Sequence, residues 1–164
     1  LKINNEELVI LFFGFIRKYK GLDLLLEAMA DERIKKSGIK LLVAGEFYED
    51  DRPYSKQIEK SGVNRQLILK TEFIPDSEVK YYICAADAVI QPYRNATQSG
   101  VTPLAYHFEK PMIVSNAVSM GHDGKPVFIG QDEPTPETHA EGNKMPAQAG
   151  ILLLWRRCAR NGKS

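Results

Sequence analysis

Leu8-Val9-Ile10-Leu11-Phe12-Phe13-Gly14 is followed at once by Phe15-Ile16-Arg17-Lys18-Tyr19-Lys20-Gly21-Leu22. The unbroken apolar run suits a strand buried on both faces, as inside a parallel sheet. Gly14 ends it. Beyond the loop, Leu22, Leu25, Leu26 and Met29 recur at helical spacing, and the helix is expected to reach Ala30. A buried strand, a basic loop and an amphipathic helix make the first half of a βαβ unit.

The same alternation continues. Ile39 to Ala44 reads as a second strand, ended by Gly45. A polar helix is expected from Tyr54 to Ser61, with Gly62 as its stop. Gln66 to Lys70 reads as a third strand. Pro75-Asp76-Ser77 is a turn with an N-cap signal, and Val79 to Ala85 continues as a helix. Ala88 to Ile90 is a fourth strand, closed by Pro92. Gly100 to Phe108 is a helix with Pro103 in its first turn, where proline is tolerated. Met112 to Val114 is a fifth strand. The expected fold class is therefore α/β, a doubly wound parallel sheet of the Rossmann-like kind.

Composition narrows the field. The chain has 164 residues, 43% of them apolar, with 22 Lys+Arg against 21 Asp+Glu. A net charge of +1 argues against a dedicated nucleic-acid binder, which grips phosphate backbones with a basic excess. The 2 cysteines, Cys84 and Cys158, form no CxxC or CxxH pair, so neither a disulfide scaffold nor a four-thiolate zinc site is expected. Cys84 reads as a small buried hydrophobe on a helix face. No signal-peptide pattern or membrane-length apolar run occurs, and a soluble intracellular protein is expected.

Breaker density divides the chain near residue 118. Residues 1–120 hold 6 Gly and 5 Pro, whereas residues 121–164 hold 6 Gly and 4 Pro. The expected organisation is an incomplete Rossmann-like domain over 1–118 and an irregular tail over 119–164.

In doubly wound sheets, ligands bind outside the carboxyl ends of the strands. Two loops there carry suitable chemistry. Gly14 to Gly21 holds Arg17, Lys18 and Lys20 beside a helix start, and reads as an anion site or as a solvated basic loop. It is neither GxxxxGK[ST] nor GxGxxG. Asn95 to Thr102 follows the fourth strand and opens a helix. It reads as an anion-binding turn or as ordinary capping by Thr97 or Ser99. Two such loops at one sheet edge suggest a diphosphate. Glu46 also stands directly after the second strand.

Four segments together, ILFFGFIRKYKGLDLLLEAM, LLVAGEF, FIPDSEVKYYICAADAVIQPY and ATQSGVTPLAYHFEKPMIVSN, resemble the nucleotide-sugar-binding domain of GT-B glycosyltransferases. The relatives meant are the retaining, glycogen-synthase-like group 1 family. The resemblance covers about residues 8–118. It implies one Rossmann-like half of a two-domain enzyme, which transfers a sugar from a nucleoside diphosphate donor to a glycan or lipid-linked acceptor. It implies that Arg17 and Lys20 act in catalysis by gripping the donor diphosphate, with Gly14 giving the close turn. It further implies donor contacts at Ile74 beside the base and along Gln98, Ser99, Gly100, Val101 and Thr102, while Glu46 is a donor-binding candidate from its place at the strand edge alone. No metal is expected, because the cations and a helix start take its place. No cofactor is expected beyond the donor itself.

The chain departs from the family pattern in two places. Many relatives carry two glutamates eight positions apart around the second loop, whereas some carry a TQSGV-like version. Aligned on Gly100, those positions are Thr97 and Ala105, neither acidic, so no donor sugar is assigned. After Asn116 the pattern gives way to the breaker-rich tail. An out-of-frame or otherwise altered end is expected there, and reading the other coding frames past Val118 checks it. With the acceptor domain missing, this chain alone is expected to bind donor without efficient transfer. The resemblance places it in the cytoplasm and also allows peripheral attachment at the inner membrane face. The rival reading is a non-enzymatic α/β binding or interaction domain, such as a flavodoxin-like regulator. The basic first loop speaks against a receiver-type regulator, which needs an acidic cluster there.

Overall fold

A computed structural model describes residues 3, 7–95 and 99–115. The expected tail over 119–164, together with Asn116, Thr97 and Gln98, lies outside the described residues. The elements are β1 (Val9–Phe13), α1 (Leu22–Met29), α2 (Glu32–Ser37), β2 (Lys40–Ala44), α3 (Arg52–Ser61), β3 (Leu67–Lys70), α4 (Asp76–Cys84), β4 (Ala88–Gln91), α5 (Val101–His107) and β5 (Met112–Val114). The strands form one parallel sheet in the order β3-β2-β1-β4-β5. The expected doubly wound α/β sheet is present.

Alternation along the strands builds two cores. Ile10 and Phe12 of β1, Leu41 and Val43 of β2, and Ala88 and Ile90 of β4 point to one face, where they meet Leu22, Leu25, Leu26 and Met29 of α1 and Ile34 of α2. Val9 and Leu11, Leu42 and Ala44, and Val89 point to the other, against Ile83 of α4 and Val101 and Ala105 of α5. The continuous apolar runs are explained by this double burial. Truncating a fully buried leucine such as Leu26 to alanine would cost about 2–5 kcal/mol.

Two local features differ from the expectation. Helix α2 has only Ile34 buried, too few apolar residues to show a helical period. Its ends are nevertheless well marked. The Asp31 carboxylate accepts the Arg33 N–H at 2.9 Å, and Gly38 closes it in the left-handed region. Cys84, the last residue of α4, is exposed rather than buried, and Ile83 is the buried residue of that turn. The chain is held there by Lys110, whose ammonium donates to the Cys84 and Ala86 carbonyls at 3.2 and 2.7 Å. These are orphan acceptors at a helix end.

The order reverses between β1 and β4, so the connections leaving these two strands go to opposite faces and open a crevice. Its floor is a backbone contact. Gly21 has φ 72°, and a Cβ there would lie 2.1 Å from the Pro92 carbonyl oxygen. Arg94 N–H also donates to the Tyr19 carbonyl at 2.7 Å, and the Arg94 guanidinium pairs with Asp23 of α1.

Gly38 has a similar φ of 75° but open space around it. Gly38→Ala is therefore expected to cost about 1 kcal/mol, the backbone penalty alone. Gly21→Ala adds the collision with Pro92 and is expected to cost about 3 kcal/mol or more. Urea denaturation of both variants checks this, and equal losses would contradict it.

Candidate functional site

The site lies at the carboxyl ends of β1 and β4. Gly14 leaves β1 with φ 90°, and its N–H donates to the Ala44 carbonyl at 2.9 Å. The chain then makes a single 3-10 turn over Lys18–Lys20, in which Lys20 N–H donates to the Arg17 carbonyl at 2.9 Å. That turn folds Lys20 back over Gly14. A Cβ on Gly14 would stand 3.1 Å from Lys20 Nζ and 3.7 Å from Val101 Cγ2. Gly14, Lys20 and Val101 are thus brought together from two separate loops. The Tyr93 ring lies above, with its centroid 5.8 Å from Lys20 Nζ and 6.0 Å from the Tyr19 ring.

Lys20 is only 8% exposed. Burial, and then the nearby Arg17 charge, push its pKa from 10.5 down to about 8. No carboxylate neutralises it among the described ion pairs. A shift of that size corresponds to roughly 3 kcal/mol of unfavourable environment for the ammonium. The Tyr93 ring offsets only part of that. A buried cation with no counter-charge among the described residues, at the ligand edge of an α/β sheet, is suited to an anion supplied from outside.

Arg17 is half-buried at the lip of the crevice, and its Cζ lies 4.0 Å from the centroid of the Tyr48 ring. Glu46 is exposed, and its carbonyl accepts the Ile16 N–H at 2.8 Å. Ile74 is half-buried against the second core cluster, beyond β3 and two strands away from β1. The structure therefore does not bring Ile74 into the immediate setting of Lys20.

The second loop is organised by a polar cluster that sequence reading left without a role. Gln91 is 1% exposed, an amide at the end of an otherwise apolar strand. Gln91 Nε2 donates to Ser99 Oγ at 3.1 Å, and Thr102 Oγ1 donates to Gln91 Oε1 at 3.4 Å. Val101 N–H also donates to Ser99 Oγ, at 3.3 Å. With both lone pairs in use, the Ser99 proton goes to Tyr93 Oη, 3.1 Å away. The Thr102 N–H donates to the Ser99 carbonyl at 3.2 Å. Ser99 thus takes up the Val101 and Thr102 N–H groups, as the capping alternative for this turn expected. Gly100 stands exposed beside them. Ala105 is fully buried in the core. A glutamine in the buried run Ala88–Gln91 was the available signal for this cluster.

Among the described residues, no group of three or more His, Cys, Asp or Glu could hold a metal ion. No described helix is long and apolar enough to cross a membrane.

The family model for glycosyl transferases group 1 matches residues 1–123. A comparison with curated proteins finds no match. Among solved structures, one similar fold is WaaG, a glycosyltransferase involved in lipopolysaccharide biosynthesis. It is 22% identical with a TM-score of 0.60, and the match covers 74% of this chain and 32% of WaaG. The chain thus spans about a third of the length of that relative. A second is the C-terminal domain of a glycosyl transferase group 1 protein from Francisella tularensis. It is 20% identical with a TM-score of 0.64, and the match covers 93% of this chain and 77% of that one. A third is the Anabaena protein HepE in complex with UDP and glucose. It is 20% identical with a TM-score of 0.52, and the match covers 66% of this chain and 29% of HepE.

The burial of Lys20 has a pH signature. Between about pH 8 and 10.5 the unfolded chain holds this proton more firmly than the folded one, so stability rises with pH across that window. Below pH 8 both states are protonated and the burial cost is at its full size. Lys20→Met removes the charge and keeps the stem. The variant is expected to be more stable than wild type by about 2 kcal/mol at pH 7, an advantage that shrinks towards pH 10. Urea melts at pH 7, 8.5 and 10 measure it. A Lys20→Met chain that is less stable at pH 7 would contradict the assignment.

Proposed function

The chain belongs to the glycosyl transferases group 1 family, and from that premise we propose that its crevice holds the diphosphate of a nucleotide-sugar donor. The observation that carries this reading is the Lys20 ammonium, buried with no carboxylate partner among the described residues and 3.1 Å from where a Gly14 Cβ would stand. Arg17 adds a second cation at the lip. The UDP and glucose held by the Anabaena relative support a nucleoside diphosphate on this fold.

In the proposed reaction, the bond from the sugar's anomeric carbon to the diphosphate oxygen breaks, and its electron pair stays with the diphosphate. The acceptor hydroxyl supplies the incoming oxygen, and its proton leaves with the diphosphate. Charge grows on the departing group as the bond stretches. Lys20 and Arg17 bind that charge more strongly in the transition state than in the ground state, which is what accelerates transfer. Burial strengthens the effect, because little water screens the ammonium. The Gln91–Ser99–Tyr93 cluster fixes the turn that closes the crevice opposite. Donor contacts at Gly14, Glu46, Ile74 and the Gln98 to Thr102 turn are part of the same proposal. The acceptor, a glycan or a lipid-linked sugar, is assigned to a second domain of the kind that completes the length of WaaG.

Calorimetry of the folded 164-residue chain with UDP, GDP and ADP tests the reading. At least one is expected to bind. Arg17→Ala and Lys20→Ala should each weaken the diphosphate by roughly tenfold or more, as for lost charge-assisted hydrogen bonds, and leave the free nucleoside little changed. Absence of binding by all three would overturn the proposal.

A further inference from the structure

We infer that Tyr48 is a positioning residue for the diphosphate site, its ring holding the Arg17 guanidinium at the lip of the crevice. The inference rests on the diphosphate reading above. Its geometry begins one step beyond the strands. Ile16 and Phe47 form a parallel bridge that prolongs the pairing of β1 and β2 into their loops. Ile16 N–H donates to the Glu46 carbonyl at 2.8 Å, and Tyr48 N–H donates to the Ile16 carbonyl at 3.1 Å. Ile16 and Phe47 turn inward to the first core cluster. Alternation then sends Phe15, Arg17, Glu46 and Tyr48 the other way.

On that outer side, the Arg17 guanidinium lies over the Tyr48 ring at 4.0 Å, and Phe15 meets the same ring edge-on at 6.5 Å and 77°. Tyr48 is 66% exposed and Phe15 51% exposed, so neither ring contributes to a core. What the pair does is hold a cation. The choice of partner matters chemically. A carboxylate would neutralise Arg17 and occupy its N–H donors. A ring takes only the face of the planar guanidinium and leaves the N–H fork at its edge open to an anion. Among the described residues, no carboxylate pairs with Arg17. Arg17 is thus held in place with its charge intact, close enough to Lys20 to disfavour that residue's ammonium.

The test is a double-mutant cycle on the full chain, read by calorimetry with UDP, GDP and ADP in turn. Tyr48→Ala is expected to weaken the diphosphate that binds by roughly three- to tenfold, and Tyr48→Phe to bind like wild type. In an Arg17→Ala background, Tyr48→Ala should have no further effect, because the residue acts through Arg17. Tyr48→Leu, which covers the loop without a π face, should resemble Tyr48→Ala. Thermal melts of Tyr48→Ala and Tyr48→Phe separate binding from folding. Wild-type binding for Tyr48→Ala or Tyr48→Leu would overturn the inference. An equal loss with and without Arg17 would do the same. If wild type binds and Arg17→Ala weakens it while Tyr48→Ala does not, this inference fails and the diphosphate reading stands. If wild type binds none of the three nucleotides, both fail.

Discussion

Backbone packing between Gly21 and the Pro92 carbonyl is the constraint on which the crevice depends. Two connections leave a parallel sheet on opposite faces at the point where strand order reverses. Without a contact they would splay apart. Gly21 lets them touch because a side chain there would overlap Pro92. The Tyr19 carbonyl, the Arg94 N–H and the Asp23–Arg94 pair then tie the same two segments together. Tyr93 is thereby set above the first loop, and the 3-10 turn before Gly21 folds Lys20 beneath it.

Burial of that lysine is unfavourable for the isolated chain and useful once an anion arrives. Hydrophobic burial in the two clusters flanking β1 is large enough to carry a local cost of a few kcal/mol. Under the proposed function the same cost would favour a charged ligand. A neutral ligand would leave the ammonium unpaired, whereas a diphosphate would satisfy it. Net charge of the whole chain, +1, says nothing of this, because the relevant cations are gathered in one loop.

Much of the fold was legible in the sequence because its central strands, β1, β2 and β4, are buried on both faces. Runs such as Val9–Phe13 and 41–44 are apolar throughout, and a glycine ends each of them. Helix α2 was not legible, since a helix with one buried residue has no period to read. The site divides in the same way. Arg17, Lys20 and Gly14 were found by charge and by position after a strand. Gln91 and Tyr93 also stand at the end of a strand, but their roles were not legible, because these arise from hydrogen bonds and ring contacts with residues of other segments. Tyr48 escaped for a related reason. Its partner Arg17 is 31 positions away and meets it only through the Ile16–Phe47 bridge. Cys84 shows the opposite error, an apolar residue assigned to the core although its helix ends facing solvent.

The central claim is that Lys20 is a buried ammonium awaiting a diphosphate. The most direct measurement is an NMR titration of its side chain, followed through the ε-carbon signal with and without bound nucleotide. The account predicts a midpoint near pH 8 in the free protein and a clear rise when a nucleoside diphosphate is bound. A midpoint near 10.5 in the free protein, or one that the nucleotide leaves unmoved, would contradict it.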